Sequence, residues 1–171
     1  MHINNNKTDN YRYSAAILIT SDRSYSGERN DNTGPKLKTR LKELNYTVAL
    51  LEVVPDDQQK IVSILKKWIK SKKIDLILVS GGTGLSPDDV TPEATMKVIE
   101  RRIPGMEEAM RHASLKITPN AMLSRGVVGV TDKSLIVNLP GSPKGALENL
   151  QVIEPALDHA LKLINNEKPD K

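Results

Sequence analysis

The chain has 171 residues, enough for one domain with a sizeable core. Its 25 basic and 21 acidic residues balance to +4, too mild a surplus for a nucleic-acid binder, and four Tyr, one Trp and no Phe leave few rings for bases to stack on. With no cysteine there is no disulfide framework or thiolate metal site, and no apolar run approaches the roughly 18 residues needed to cross a membrane.

The start, MHINNNKTDNYRY, has no apolar segment of the secretory kind, so a cytoplasmic protein is expected. The polar ends predict a leader over residues 1–12 and a tail over 166–171, around a single domain over 13–165. SAAILIT (Ser14 to Thr20) reads as a buried strand that ends in a polar loop, SDRSYSG. Leu37, Leu41 and Leu44 repeat at helical spacing behind NTGP, where Thr33 could cap and Pro35 falls in the first turn. TVALLEVV (Thr47 to Val54) is the next strand, stopped by Pro55. Asp56 and Asp57 precede the following helix, and one of them is expected to cap it. That helix carries Ile61, Ile64, Leu65, Trp68 and Ile69 on one stripe, with KKWIKSKK as its solvated face.

DLILVS (Asp75 to Ser80) is a third buried strand and runs into SGGTGLSPDD. Strands that are apolar throughout and alternate with helices predict an α/β fold, a three-layer sandwich around a mostly parallel sheet. In the second half, Thr91 before Pro92 reads as the cap of a helix to about Arg102. Met106, Ala109, Met110, Ala113 and Ile117 mark another helix by core-type spacing, with His112 beside the stripe as a partly buried structural residue. GVVGVT and SLIVNL flank Asp132 and Lys133 as a hairpin would. PGSPKG then leads into two helices, Pro143 to about Ile153 and Pro155 to Ile164. No internal repeat or domain linker is visible.

In an open parallel sheet, ligands bind beyond the carboxyl ends of the strands, so the loops after those strands carry the chemistry. Gly81, Gly82 and Gly84 match neither a P-loop nor a dinucleotide fingerprint, because Leu85, Ser86 and Pro87 stand where those motifs need other residues. The turn suits two readings equally: a tight strand-to-helix connection, or a backbone cradle for a ligand. Asp89 lies too far ahead of Thr91 to be its helix cap. Carboxylates beside a phosphate site are repulsive unless Mg²⁺ lies between them and the phosphates, so glycine turn plus Asp suggests metal-assisted phosphoryl or nucleotidyl chemistry. In LPGSPKG, Ser142 and Pro143 start a helix, and with Lys144 they suit either simple capping or an anion site. Arg125 could clamp a phosphate or form a surface ion pair. No G-x-S-x-G elbow is present, so a serine nucleophile has no support.

Together, TSDRSYSGERNDNTGP, VVPDD, SGGTGLSPDDVTPEAT, PGMEEAMR, SLKITPNAMLSR and VNLPGSPKG resemble the MogA-type molybdopterin adenylyltransferases, related to MoaB proteins and to the G domains of gephyrin and its plant counterpart. The resemblance runs in order from about Ala15 to Ile164. It implies transfer of AMP from ATP to the terminal phosphate of molybdopterin, with Mg²⁺ as the metal and pyrophosphate as the by-product. It also implies a homotrimer, and a product passed on to the molybdate-inserting enzyme.

By motif, Asp56 and Asp89 match the essential acidic residues and the metal ligands. Ser21, Asp22, Gly81, Gly82, Thr83 and Gly84 match the nucleotide and phosphate side. Ser114, Ser124 and Asn138 match the molybdopterin side, as do Pro140, Gly141, Ser142 and Lys144. Asp88 departs from the pattern, adding a negative charge where many relatives have none. The rivals are a MoaB-like paralogue and a gephyrin-like scaffold, both without robust adenylyltransferase activity. The kept DVTP aspartate context counts against the paralogue, and the lack of an appended domain against the scaffold.

Overall fold

The structure, a computed structural model, describes residues 12–71 and 73–166. The expected leader lies outside the described residues except for Arg12, and the tail except for Asn166. Strand β1 (Tyr13–Thr20) is followed by the single helical turn α1 (Asp22–Tyr25), helix α2 (Thr33–Glu43), strand β2 (Tyr46–Val54) and helix α3 (Gln58–Ser71). Strand β3 (Leu76–Ser80), helix α4 (Thr91–Met96), the two-residue strand β4 (Arg101–Arg102) and helix α5 (Pro104–Leu115) come next. A 3₁₀ turn (Pro119–Leu123), strands β5 (Val128–Thr131) and β6 (Ser134–Leu139), and helix α6 (Pro143–Ile164) follow.

The strands form one sheet in the order β2-β1-β3-β6-β5-β4. The first four run parallel, while β5 is antiparallel to both β6 and β4. Alternate side chains of the inner strands enter opposite layers, as the pleat requires. Ala15, Ile17, Leu76, Leu78 and Val137 pack with residues of α2, α5 and α6 on one face. Ala16, Leu18, Ile77, Val79 and Ile136 pack with Ile61, Leu65 and Trp68 of α3 and Ala94 of α4 on the other. The expected three-layer α/β/α sandwich is therefore present.

The strand order places the functional edge. From β1 the chain passes through α2 to β2 on one side, then through α3, on the opposite face, to β3 on the other side. The carboxyl ends of β1 and β3 thus diverge into loops around a switch point, where such sheets hold ligands. Ser21 follows β1 there, and Gly81 follows β3.

Several local expectations are corrected. Strand β2 lies at the sheet edge and is only partly buried, with Thr47 and Ala49 exposed, rather than apolar and enclosed throughout. The predicted pair of C-terminal helices is one 22-residue helix with Pro155 inside it. Pro155 cannot donate to the carbonyl one turn back, but Ile153 and Leu157 bury on either side of it, and that packing carries the helix through. Helix α4 stops at Met96 rather than near Arg102, because Arg101 and Arg102 pair with Val130 and Gly129 as an edge strand.

Thr91 is not a cap: it sits inside the first turn of α4, and its N–H donates to the Gly82 carbonyl at 3.1 Å. Nor does Thr33 cap α2, where the Asp31 carboxylate accepts from the N–H groups of Thr33 and Gly34. Ile117 lies beyond the end of α5, and Ala109 and His112 are exposed, so the histidine is not the partly buried residue expected. In the KKWIKSKK run, Lys66, Lys67 and Lys70 are exposed and Trp68 is buried, as a solvated helix face requires. Among the described residues, no helix is long and apolar enough to cross a membrane.

Candidate functional site

Two clefts share the edge formed by the strand ends. The first, of about 600 Å³, opens at the switch point between the loops after β1, β2 and β3 and the start of α6. The second, of about 300 Å³, lies between α5, the 3₁₀ turn, the end of β6 and α6.

The first cleft is built around the glycine turn. Gly81 and Gly82 have φ of 110° and 59°, a region that L side chains rarely adopt. A Cβ on Gly81 would collide with the Thr20 carbonyl, and one on Gly82 would lie 2.6 Å from Thr91 Oγ1 and 3.2 Å from Asp56 Oδ1. The Thr20 and Thr91 hydroxyls meet beneath the turn at 3.1 Å, so the two buried threonines hold its floor. The turn also abuts the PGSP loop: Gly141 is so close that a Cβ on it would lie 3.3 Å from Gly81 Cα. The Thr33 hydroxyl donates to the Gly141 carbonyl, and the Ser80 hydroxyl to the Pro140 carbonyl, fixing that approach.

The carboxylates divide their work. Asp57 Oδ1 accepts from the Lys60 N–H at 3.0 Å and caps α3, as one member of the pair was expected to. Asp56 turns into the cleft instead. Its Oδ2 accepts from the Asp22 N–H and its own N–H donates to Asp22 Oδ1, both at 3.0 Å, a reciprocal clasp between the loops after β1 and β2. The other Asp56 oxygen, Oδ1, is buried without a hydrogen-bond partner.

Burial pushes the Asp56 carboxyl above the usual aspartate range. The backbone bond from Asp22 pulls it down, and the carboxylates of Asp22, Asp89 and Asp88 raise it again. Asp89 lines the same cleft, its Oδ2 accepting from the Ser86 N–H at 2.9 Å within the loop. Asp88 lines the cleft too, whereas Asp57 does not.

An orphaned carboxylate oxygen in a cleft that Asp22, Asp88 and Asp89 also line fits a hard divalent cation. Among the described residues no group of three or more His, Cys, Asp and Glu side chains is arranged to hold a metal alone. Mg²⁺ in general takes one or two carboxylates, keeps waters and accepts phosphate oxygens for the rest. Asp56 and Asp89 are the residues that could hold it.

Cations missed in the sequence complete this cleft. Arg23 and Arg29 both line it, and Arg29 Nη2 donates to Ser21 Oγ at 3.2 Å. Ser21 also accepts from the Ser24 N–H as the cap of α1. The acidic SDRSYSGERND loop is where those arginines could have been noticed.

The second cleft is less charged and more apolar, with Met110, Ile117, Ala121 and Leu123 among its walls. Ser114, Ser124, Asn138 and Pro140, expected on the molybdopterin side, line it together, and so do Thr83 and Gly84, expected on the nucleotide side. Gly141 lies in the first cleft, and Ser142 belongs to both. Lys144 lines neither: it is exposed and 3.8 Å from Glu148.

Asn138 is committed to structure, accepting from the Val127 N–H and donating to Thr95 Oγ1. Three contributors went unread in the sequence. Asn149 Nδ2 donates to Ser114 Oγ at 2.9 Å and orients it. The buried Glu107 pairs with Arg102 at 2.6 Å and Arg111 at 3.6 Å, placing the Arg111 guanidinium at the cleft wall. The Glu107–Arg111 spacing of one helical turn was the available signal. Ser142 accepts from the Gly145 N–H and caps α6, so the positive end of a long helix dipole starts where the clefts meet.

Residues 16–159 match the family model described as a probable molybdopterin binding domain. A molybdopterin adenylyltransferase of Helicobacter pylori is 41% identical over 150 residues, covering 86% of this chain and 85% of that protein. Gephyrin of Dictyostelium discoideum is 43% identical over 160 residues, covering 88% of this chain but 22% of gephyrin, so the chain spans about a fifth of that relative. Among solved structures, the molybdopterin biosynthesis enzyme MoaB of Thermus thermophilus superposes with a TM-score of 0.86 at 46% identity, covering 93% of this chain and 99% of that one. The chain belongs to the molybdopterin-binding domain family of molybdenum cofactor biosynthesis, the family of the molybdopterin adenylyltransferases.

Proposed function

We propose that the protein transfers the adenylyl group of ATP to the terminal phosphate of molybdopterin, giving adenylyl-molybdopterin and pyrophosphate. The observation that carries this reading is the junction of two unlike clefts: an acidic one suited to a metal-bound polyphosphate, and a more apolar one suited to a flat heterocycle. They meet at the Gly81–Gly84 turn and Ser142, which is where a phosphate from each substrate would have to react.

Asp56 and Asp89 would hold Mg²⁺, which when bound offsets phosphate charge and orients the reacting groups. Gly81 and Gly82, lacking side chains, let the turn's backbone approach the phosphates closely. Arg23 and Arg29, which line the same cleft, supply positive charge. The start of α6 adds a favourable dipole at the junction. A molybdopterin phosphate oxygen attacks the α-phosphorus as the bond to pyrophosphate breaks. A phosphate monoester is already ionised near neutral pH, so the site needs no strong general base, and positioning and charge compensation suffice.

The test is incubation of the purified protein with Mg²⁺, ATP and molybdopterin, followed by detection of adenylyl-molybdopterin and pyrophosphate. Folded wild-type protein that forms neither would move the reading to a MoaB-like or gephyrin-like molybdopterin binder. Assembly as a homotrimer and delivery of the product to a molybdate-inserting enzyme belong to the same reading.

A further inference from the structure

Arg125 lines neither cleft, yet it touches the backbone of the segment that joins them. Its N–H donates to the Thr83 carbonyl at 3.0 Å. Its Nε donates to the Gly84 carbonyl at 2.7 Å, and its Nη2 to the Asp89 carbonyl at 2.6 Å. Its Nη1 is paired with Glu93 of α4. The Gly84–Asp89 loop has little else to hold it: Leu85, Ser86, Pro87 and Asp88 are all exposed, and the internal bonds join only Ser86 and Asp89. One guanidinium therefore grips both ends of the loop that carries Asp89 and anchors them to a helix.

The residues beside Arg125 belong to the second cleft. Ser124 and Gly126 both line it, and the Gly126 carbonyl accepts from Arg111 at 3.3 Å. The strap thus starts in the wall of the second cleft and ends on the Asp89 loop of the first. We propose that Arg125 is a positioning residue, which sets Asp89 for the metal-bound nucleotide and ties its placement to the wall of the second cleft. The functional half of this inference rests on the adenylyltransferase reading above. The planar fork is essential to it, because three donors in fixed directions reach three separate acceptors, which a lysine ammonium cannot reproduce.

Two measurements on the full chain test the strap. The first is amide hydrogen exchange. Arg125→Ala should speed exchange about tenfold or more at Ser86 and Asp89, leave β3 protected, and not be rescued by Arg125→Lys. Unchanged exchange at Ser86 and Asp89, or equal loosening across β3, overturns the strap.

The second is the affinity for Mg²⁺ with a non-hydrolysable ATP analogue, measured in the Asp89 and the Asp89→Asn backgrounds. Arg125→Ala should weaken binding about tenfold when Asp89 is present and less than about twofold when it is not, the coupling expected of one residue acting through another. An equal loss in both backgrounds overturns the positioning role. Wild-type protein that binds no metal–nucleotide complex would instead sink the functional reading. The exchange result would then stand alone, and loosening confined to the loop would still establish the strap.

Discussion

The two clefts are built from different parts of the fold. The first is made of loops at strand ends, carries Asp22, Asp31, Asp56, Asp88 and Asp89, and relies on glycines and short polar side chains for its shape. The second is made chiefly of helices and their connections, and uses Met110, Ile117 and Leu123 as walls around a few hydrogen-bonding groups. The difference separates two tasks. Loops at a switch point can bring several charges together, because their backbone is free to take the special conformations of Gly81 and Gly82. Helices give flat apolar surfaces whose polar side chains hold their directions through neighbours such as Asn149.

If that division is right, damage should sort by cleft. The largest effect is expected at the carboxylates. Asp56→Ala or Asp89→Ala should lower adenylyl transfer by about 100-fold or more while the chain stays folded, as judged by product formation and circular dichroism. Full activity in both variants would remove the acidic cleft from the chemistry.

Next comes Gly82→Ala, which forces a side chain into a left-handed conformation against Thr91. It should cost about 2 kcal/mol or more in urea unfolding and reduce nucleotide affinity as well. A neutral result would show that the turn has room to relax.

The second cleft should respond more mildly and in a different parameter. Ser114→Ala removes the acceptor for Asn149 and should raise KM for molybdopterin roughly two- to tenfold, with KM for ATP unchanged. A change in the ATP term alone would break the assignment of the clefts.

A smaller effect is tied to pH. The folded state binds a proton at Asp56 more readily than the unfolded chain, so this group's contribution to stability falls as pH rises through the window above the ordinary aspartate pKa. In metal-free buffer at pH 7, Asp56→Asn should therefore raise the melting temperature. The gain should vanish when the pH is well below about 3.9, where both states are protonated. A variant that is less stable than wild type at pH 7 would mean that the orphaned oxygen carries no penalty. The smallest effect is expected at Lys144: Lys144→Ala should change stability by less than about 0.5 kcal/mol and leave both KM values alone.

The sandwich was legible because its signals are local. SAAILIT and DLILVS are enclosed on both faces of the sheet, and LSPDD after a glycine turn announced the first cleft. Helix ends were read less well. Thr91 and Thr33 have the composition of caps, but tertiary contacts with Gly82 and Gly141 claim them. Pro155 suggested a break that the burial of Ile153 and Leu157 overrides. The second cleft was half-hidden, because Ser114 and Asn149 meet across 35 positions and Glu107 gains its role only by folding beside Arg102 and Arg111.

The sequence by itself determined the α/β alternation, the glycine turn and the supply of carboxylates, since each depends on residues that are neighbours along the chain. Only the tertiary structure decided which carboxylate does what. Asp56 and Asp57 are adjacent and chemically identical, yet one caps a helix and the other faces Asp22 with an unpartnered oxygen. Only folding could likewise turn Arg125 from a candidate phosphate clamp into a strap over Gly84 and Asp89. A side chain's charge belongs to its residue type, but the partner that uses that charge is chosen by packing between segments far apart in the chain.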